Sequence, residues 1–288
     1  MEMMKTLLLV ILYDKEIDKS LTLECISQGD FKNCDLVIVN NGPQKIVLEG
    51  SFHSLLMDVV SKIELREYLD NRPLSWIYNE IIVDYIHYER IIFLDDDSHL
   101  NSNFLSNIDR FYCDDIDIQI PKILERSDHQ LYYPLVNGFI YDGHDGEIID
   151  AEKDVLSIGS GLVIYRSLID KFSHLNLEVF DSRFALYGVD FSLFRRVREM
   201  RKNNIYVKIQ LVSYVNHSLS RASDNISEWR YKERLYDSVL SIRFYSKNTF
   251  HSFLRLTKYL GGELLKGNVR SVPLIFKTYF IGKHPRCR

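Results

Sequence analysis

Short apolar runs bounded by polar residues recur through the first 125 residues of the chain. Such runs are typical of buried strands. They predict strands at residues 5–13, 35–43, 59–65, 91–94 and 115–123. The second of these runs ends in Asn40-Asn41-Gly42-Pro43, which is a strong turn signal.

Helix-compatible stretches separate the predicted strands, at Lys15–Gln28 and at residues 73–88. Strands that alternate with helices predict an α/β fold with a mostly parallel central sheet flanked by helices. Ligands of such sheets bind beyond the carboxyl ends of the strands. Asp14, Asn40 and the segment Asp95–Asp97 are therefore predicted to lie at one binding edge.

The second half of the chain has a less regular pattern. Residues Val155–Tyr165 are strand-like and contain Gly159-Ser160-Gly161. A helix is predicted from about Asp190 to Lys202, because apolar side chains recur along one side of it. A strand is predicted over Ile205–Val215, directly before Asn216-His217-Ser218.

The segment IIFLDDDSHL, residues 91–100, carries the clearest chemical signal. Four apolar residues run straight into Asp95, Asp96 and Asp97. Three carboxylates at the end of a buried strand repel one another and lose hydration, which is costly without a positive partner. Hard divalent cations prefer oxygen ligands, so the segment predicts a metal site. A solvated acidic loop is the alternative interpretation.

Composition describes a globular protein with a substantial core and an uneven charge distribution. The 288 residues are 46% hydrophobic and 26% charged, with a net charge of −4. Residues 229–288 contain 13 Lys+Arg and 3 Asp+Glu, a net charge of +10. Residues 1–228 contain the other 23 basic and 37 acidic residues, a net charge of −14. The shift predicts a body of residues 1–228 and a basic extension of residues 229–288.

The extension interleaves aromatic, apolar and cationic residues, which predicts amphipathic helices. Such helices bind the surface of anionic membranes. Packing of the helices on the body is the alternative, and the two are compatible. Nucleic acid is a poor partner, because the acidic body would repel it and no nucleic-acid-binding motif is present.

The cysteines and the N-terminal segment indicate a cytoplasmic protein. The four cysteines, Cys25, Cys34, Cys113 and Cys287, lack zinc-type spacing, and free thiols fit a reducing compartment. The first apolar run is short, lacks a cleavage site and is followed by Asp14, so no signal peptide is expected. No stretch approaches the roughly 20 apolar residues that span a bilayer.

Eight segments, in order, resemble the family 2 glycosyltransferases of GT-A fold, and the resemblance covers about residues 4–225. The matching segments are LLLVILYD, DLVIVNNGP, Asn71 to Asn79, IIFLDDDSHL, IQIPKI, SIGSGLVIYRS, FDSRFALYGVDFSLFRRVR and VSYVNHSLS. No single segment is specific, but their order and spacing are hard to obtain by chance. The resemblance implies that residues 1–228 form a GT-A catalytic domain.

The resemblance implies a nucleotide-sugar donor site. The residues that match its positions for base, ribose and neighbouring donor groups are Tyr13, Asp14, Asn40, Asn41, Asn71, Asn79, Asp95 and Asp96. The family commonly has Asp at the position of Asn40, and often Arg at the position of Tyr78. A contact to the donor diphosphate is then missing or supplied by another residue.

The resemblance also implies a divalent metal, Mn²⁺ or Mg²⁺. Asp97 matches the metal ligand, and Asp95 matches a ligand of the metal or the ribose. His217 matches a late histidine that is often a further metal ligand. A buried histidine that only forms core hydrogen bonds is the alternative, although its place after a strand favours the metal.

Asp190 matches the catalytic base of the family, which lies at the start of a helix. The family has a pair of acidic residues there, and Val189 replaces one of them. Asp190 as a simple helix N-cap is the alternative. Gly159, Ser160 and Gly161 match the region that lines the acceptor pocket; a G-x-G alone does not indicate a phosphate loop.

The implied function is metal-dependent, inverting transfer of a hexosyl or deoxyhexosyl group from a UDP-, dTDP- or GDP-sugar. The implied acceptor is a glycan or lipid-linked oligosaccharide of a bacterial O-antigen or capsule, at the inner face of the cell membrane. One alternative is a sugar-1-phosphate nucleotidylyltransferase, although YDKEIDKS lacks the Gly- and Arg-rich loop that such enzymes need. Another is a non-catalytic glycan-binding or scaffold protein, which Val189 and the missing Arg support.

Overall fold

The computed structural model describes residues 4–218 and 227–288. Within these ranges, ten strands form one mixed sheet. In chain order they are β1 (Thr6–Leu12), β2 (Phe31–Asn40), β3 (Val60–Glu67), β4 (Arg90–Asp95), β5 (His99–Leu100), β6 (Ile118–Glu125), β7 (Leu131–Tyr133), β10 (Ile148–Ile149), β12 (Leu162–Tyr165) and β13 (Ile209–His217). Three further strands, β8 (Leu135–Val136), β9 (Phe139–Ile140) and β11 (Val155–Leu156), form a small separate sheet.

The order of strands in the main sheet is β10-β13-β6-β12-β4-β1-β2-β3. The four strands at the β3 end run parallel, as the alternation of strands and helices predicts. Strand β12 is antiparallel to both of its neighbours, whereas β13 is parallel to β6. The short β5 pairs with β13 and so brings the chain that follows β4 against the end of β13.

Helices cover both faces of the sheet. In the body they are α1 (Leu21–Ser27), α2 (Gly50–Val59), α3 (Leu74–Asp84), α4 (Phe104–Phe111), α5 (Arg166–His174) and α6 (Val189–Arg201). The extension contributes α7 (Glu228–Phe244), α8 (Thr249–Leu265) and α9 (Val272–Ile281). None of the described helices has both the length and the apolar character needed to cross a membrane.

Strand β1 shows how the two faces are buried. Its seven residues are all buried, and alternate side chains enter different hydrophobic cores. Leu7 and Leu9 belong to the core beneath α3, α5 and α6, whereas Leu8 and Val10 belong to the core beneath α1, α2 and α4. The continuous apolar run of β1 therefore marks a central strand, because such strands are covered on both faces.

The structure confirms most predicted elements and moves some of their ends. The predicted single strand Val155–Tyr165 is wrong: β11 and β12 are separated by the turn that holds Gly159–Gly161. The predicted helix at 73–88 ends at Asp84, and the polar stretch Lys15–Gln28 forms a short 3₁₀ turn followed by α1. All four cysteines are free.

The extension packs on the body through α7. Leu240 of α7 enters the core beneath α6, while α7, α8 and α9 share a cluster of their own around Val239 and Ile275. At the end of α7, the Tyr245 hydroxyl donates a hydrogen bond of 2.7 Å to buried Asp181. The helices predicted for the extension are thus present, and α7 contacts the body. The boundary near Trp229 stays a prediction.

Candidate active site

The triple-aspartate segment is held by α1. Asp95 is the last residue of β4, and the turn after it carries Asp96 and Asp97. The Thr22 hydroxyl lies 2.5 Å from the Asp95 carbonyl oxygen and accepts a 3.0 Å hydrogen bond from the Ser98 N–H. These bonds satisfy backbone groups that leave the sheet, so the turn has a defined shape.

Asp95, Asp97 and His217 come together in one cluster of metal-ligating side chains. One candidate ligand atom from each lies within 4.8 Å of the others. His217 Nε2 is 3.7 Å from Asp95 Oδ2, and His217 Nδ1 is 3.1 Å from Asp97 Oδ1. His217 is the last residue of β13, which the pairing with β5 aligns with the acidic turn. The three residues predicted to bind metal are thus adjacent.

The charges of the cluster depend on one another. Burial raises the pKa of Asp95 to about 6, an effect that Asp97 and Asp96 reinforce and that His217 opposes. Burial also acts against charge on Asp97 and His217, but their mutual hydrogen bond outweighs it, lowering the pKa of Asp97 and raising that of His217. Positive charge beside the carboxylates therefore stabilises the cluster.

Asp96 has a different partner from its two neighbours. Its carboxylate lies 2.8 Å from the Lys15 ammonium, and it is outside the ligand cluster. Lys15 lies three residues after the end of β1, at the edge where the sequence predicts ligand binding, but it was not among the predicted site residues. The ion pair offsets one of the three adjacent negative charges.

Asp190 lies in the first turn of α6, with Gly188 as the N-cap residue. The interpretation of Asp190 as the N-cap is therefore wrong, and no side-chain cap bond is present at this helix end. The carboxylate instead accepts a hydrogen bond from the Gly159 backbone. Burial, reinforced by the charge of Asp95, raises the pKa of Asp190 to about 7. The carboxyl group is thus poised to exchange a proton near neutral pH.

Two glycines allow close packing around the start of α6. A Cβ atom at Gly159 would lie 2.8 Å from Asp190 Oδ1, so a larger residue there would displace the carboxylate. Gly188 has a φ of +80°, and a Cβ there would collide with the Asp237 carboxylate of α7. The start of α6 is therefore packed tightly against both the β12 turn and the extension.

Of the three residues predicted to line the acceptor pocket, only Gly159 contacts the candidate base. Ser160 is fully buried and its hydroxyl bonds to that of Ser98. Gly161 has a φ of +80° and packs against Pro121, to which a Cβ would come within 2.7 Å. None of the three is among the described residues that line the cleft, whereas Ile158 is.

The predicted donor residues divide into two groups. Tyr13, Asn41 and Asn71 line the cleft together with Asp95 and Asp96. The remaining three, Asp14, Asn40 and Asn79, are not among its described lining residues.

Internal hydrogen bonds occupy the side chains of Asn40 and Asn79. The Asn40 amide donates to the Gln44 carbonyl and to Glu67, at 2.7 and 3.2 Å. The Asn79 amide bonds both backbone groups of Phe180. Both side chains hold neighbouring segments together.

A cleft of about 590 Å³ joins these groups. It contains the metal-ligating cluster, Asp190 and the three donor-side residues. The extension also lines it, through residues that the sequence analysis did not assign to the site: Trp229, Arg230, Arg234 and Asp237. The sequence feature that could have assigned them to the site is their closeness to His217 along the chain.

No family model matches the sequence, and no curated protein sequence matches it significantly. Solved structures do match its fold. Staphylococcus aureus TarS 1–349 is 13% identical with a TM-score of 0.55, covering 99% of this chain and 82% of that one. This chain spans half of the longer TarS structure. GalNAc-T7, solved with UDP, GalNAc and Mn²⁺, is 12% identical with a TM-score of 0.53, covering 82% of this chain and 48% of that one. The chain thus has the GT-A fold of glycosyltransferases.

Proposed function

We propose that the protein is a metal-dependent, inverting glycosyltransferase that uses a nucleotide-sugar donor. One observation carries the proposal: a cluster of three metal-ligating side chains and a separate, partly buried carboxylate line the same cleft. Structures of the same fold support the donor class, because TarS 1–349 was solved with UDP-GlcNAc and GalNAc-T7 with UDP and Mn²⁺. We propose a UDP-, dTDP- or GDP-sugar as donor.

The ligand cluster fits a divalent cation. Two carboxylates and one imidazole within 4.8 Å provide a mixed oxygen and nitrogen donor set suited to Mn²⁺ and compatible with Mg²⁺. Burial, reinforced by the neighbouring Asp97 and Asp96, raises the pKa of Asp95, and a bound cation would favour its ionised form. A cation held by Asp95, Asp97 and His217 would neutralise charge on a departing nucleoside diphosphate.

Asp190 is the proposed base. Its carboxylate would accept the proton of the acceptor hydroxyl as that oxygen attacks the anomeric carbon, and the Gly159 N–H would hold it in place. Direct displacement inverts the anomeric configuration and needs no enzyme nucleophile. A single carboxylate is sufficient for this role, so Val189 is compatible with activity.

Arg230 and Arg234 of α7 are candidates for the diphosphate contact that the resemblance places at Tyr78. Tyr78 is buried, and its ring packs 5.0 Å from that of Phe93 and 4.9 Å from that of Phe180. It therefore forms an aromatic wall of the cleft and supplies no positive charge. The two arginines line the same cleft and bring guanidinium groups, which suit phosphate oxygens.

Binding and turnover of a panel of nucleotide sugars test the proposal. Purified protein is incubated with Mn²⁺ or Mg²⁺ and with UDP-, GDP- and dTDP-sugars, and thermal stability and sugar release are measured. We expect at least one donor to stabilise the protein only when the metal is present, because ligands that bind the native state raise its stability. A panel without any metal-dependent stabilisation or release contradicts the proposal.

We further propose that the acceptor is a lipid-linked glycan of a bacterial surface polysaccharide, reached at the cytoplasmic face of the membrane. The outer surface of the extension supports this. Its three acidic side chains lie inside: Glu233 and Glu263 are buried, and Asp237 pairs with Arg195 of α6. The exposed charges of residues 229–288 are consequently all positive.

Apolar side chains accompany these cations on α8. Its outward face carries Phe250, Phe253, Leu254, Leu264 and Leu265 at helical spacing, and these side chains are between 49% and 92% exposed. Exposed aromatic residues next to lysine and arginine suit an anionic lipid surface, where rings enter the interface and cations meet headgroups.

The vesicle test compares phosphatidylcholine with mixtures that also contain phosphatidylglycerol. We expect co-sedimentation with the anionic vesicles only, weakened by salt. Replacing both Phe250 and Phe253 by Ser should weaken it by at least about 10-fold, since each buried ring contributes about 1.5–3 kcal/mol. Phe139→Ser, which removes a 77% exposed ring from β9, is the matched control. Equal binding to neutral vesicles, or a dimer that covers α8, contradicts the membrane proposal.

A further inference from the structure

The last residues of the chain lie against the donor end of the cleft. The His284 N–H donates to the Arg183 carbonyl at 3.0 Å, and residues Pro285–Cys287 form a 3₁₀ turn with Cys287 buried. This turn places the Arg286 side chain between α7 and the segment that precedes α3. The chain terminus is thereby brought beside a loop that lies 215 residues earlier.

Arg286 connects two parts of the molecule with charged hydrogen bonds. Its Nη1 donates to the Asn71 side-chain oxygen at 2.6 Å and to the Asn71 carbonyl at 3.2 Å. Its Nη2 donates to Glu233 of α7 at 2.8 Å. A planar guanidinium suits such bridging between separate acceptors, whereas a lysine ammonium does not reproduce its geometry.

Glu233 is a firm anchor for this arginine. Burial of Glu233 acts against its charge, but His284 and Arg286 outweigh burial and lower the pKa of the carboxyl group. His284 Nε2 lies 3.2 Å from the same carboxylate oxygen. The ionised carboxylate thus fixes the guanidinium from the α7 side.

Asn71 in turn contacts Asn41, and both line the cleft. The Asn41 amide nitrogen lies 3.5 Å from the Asn71 side-chain oxygen and donates to the Arg72 carbonyl at 3.0 Å. The Asn41 side-chain oxygen is buried and has no hydrogen-bond partner. A buried acceptor of this kind is costly unless a ligand supplies a donor.

We propose that Arg286 is a positioning residue of the donor site, which holds Asn71 and thereby Asn41. The Asn41 oxygen is then presented to an N–H group of the nucleotide base, such as the imide of uracil or thymine or the N1–H of guanine. The inference rests on the proposed function for the identity of the ligand as a nucleotide. With this role of Arg286, the extension contributes to the donor site in addition to forming the proposed membrane-binding surface.

Nucleotide binding by Arg286→Gln tests the inference. Affinities for UDP, dTDP and GDP are measured by calorimetry in the presence of Mn²⁺, together with the affinity for Mn²⁺ alone. We expect the Kd of the nucleotide that wild type binds to rise by about 10- to 100-fold, the range for losing hydrogen bonds to a charged group. The Kd for Mn²⁺ alone should stay unchanged, because Asn71 is outside the ligand cluster.

Kinetics distinguish positioning from a general structural role. Arg286→Gln should raise the donor KM and leave kcat at saturating donor near the wild-type value, since Asp190 is untouched. Arg286→Lys should recover only part of the loss. Arg288→Gln, which removes an exposed arginine two residues away, is the matched control and should behave as wild type.

A second variant keeps the test independent of folding defects at the terminus. Asn71 has a φ of +53°, so Asn71→Gly removes the side chain without backbone strain. It should raise the nucleotide Kd similarly, and the double variant should be no worse than either single variant. Equal nucleotide affinity in wild type, Arg286→Gln and Asn71→Gly overturns the role of Arg286 but leaves the proposed function intact. A wild type that binds no nucleotide contradicts the proposed function as well.

Discussion

Replacing Asp190 by Asn should lower the rate of sugar transfer by about 10²–10⁴-fold, the usual contribution of a general base. The amide is nearly isosteric but cannot accept the acceptor proton. Donor binding should survive, because Asp190 is outside the metal-ligating cluster. Single-turnover transfer and calorimetric donor affinity are the two measurements. Asp170→Asn, on exposed α5 surface, is the control for loss of one negative charge.

The pH dependence provides a second readout of the same residue. The pKa of Asp190 is raised to about 7 by burial and by Asp95, and the base acts only when it is ionised. Wild-type kcat/KM should therefore fall as pH decreases below that pKa, at a limiting slope of about tenfold per pH unit. A bound cation nearby moves the fall to lower pH, because it favours the ionised carboxylate. Unchanged transfer by Asp190→Asn would refute the assignment.

Replacing Asp95 by Asn should separate metal binding from stability. The folded-state pKa of Asp95 is raised above its ordinary value, so at pH 8 its ionised form opposes folding. Without metal, the variant should be at least as stable as wild type. Mn²⁺ at 100 times its Kd should stabilise wild type by about 2.7 kcal/mol and leave the variant unaffected.

Thermal unfolding of wild type and Asp95→Asn with and without Mn²⁺ measures this difference in stability. The rate of sugar transfer by Asp95→Asn should fall by about 10²–10⁴-fold, because several kcal/mol of charge stabilisation are lost. Asp96→Asn is the matched control: Asp96 pairs with Lys15 and is outside the ligand cluster, so its Mn²⁺ response should persist. A full Mn²⁺ response in Asp95→Asn would exclude Asp95 as a ligand.

Local pattern was sufficient for the centre of the fold. Strands β1, β2 and β4 each contain a continuous apolar run, Leu7–Leu12, Leu36–Val39 and Ile91–Leu94, and the structure buries all three runs. The position of the acidic turn was also predictable, because Asp95, Asp96 and Asp97 directly follow the apolar run of β4. The juxtaposition of Asp95, Asp97 and His217 came from the family resemblance, and the structure reproduces it.

Single-residue orientation was not predictable from pattern. Asn40 and Asn41 are neighbours at the end of β2, yet only Asn41 lines the cleft. Successive side chains of a strand point in opposite directions, so the choice depends on register and turn geometry. The same holds for Gly159 and Ser160, of which one faces Asp190 and the other faces Ser98.

The long-range contacts of the extension were also not predictable from the sequence. Its charge balance indicated a basic surface, but nothing in it indicated that Arg286 reaches Asn71 or that Arg234 lines the cleft. Those contacts follow from the positions of α7 and of the 3₁₀ turn Pro285–Cys287 on the body. Periodicity gives the helix and its apolar side, but it does not give the partner of a particular side chain.

Mn²⁺ binding measured by electron paramagnetic resonance is the most direct test of the central claim, that Asp95, Asp97 and His217 hold a divalent cation. We predict one Mn²⁺ ion bound by wild type, with affinity increased by the nucleoside diphosphate that the protein prefers. Asp97→Asn and His217→Gln should each weaken Mn²⁺ binding by at least about 10-fold. Wild-type affinity in both variants, or no Mn²⁺ bound with nucleotide present, would contradict the account.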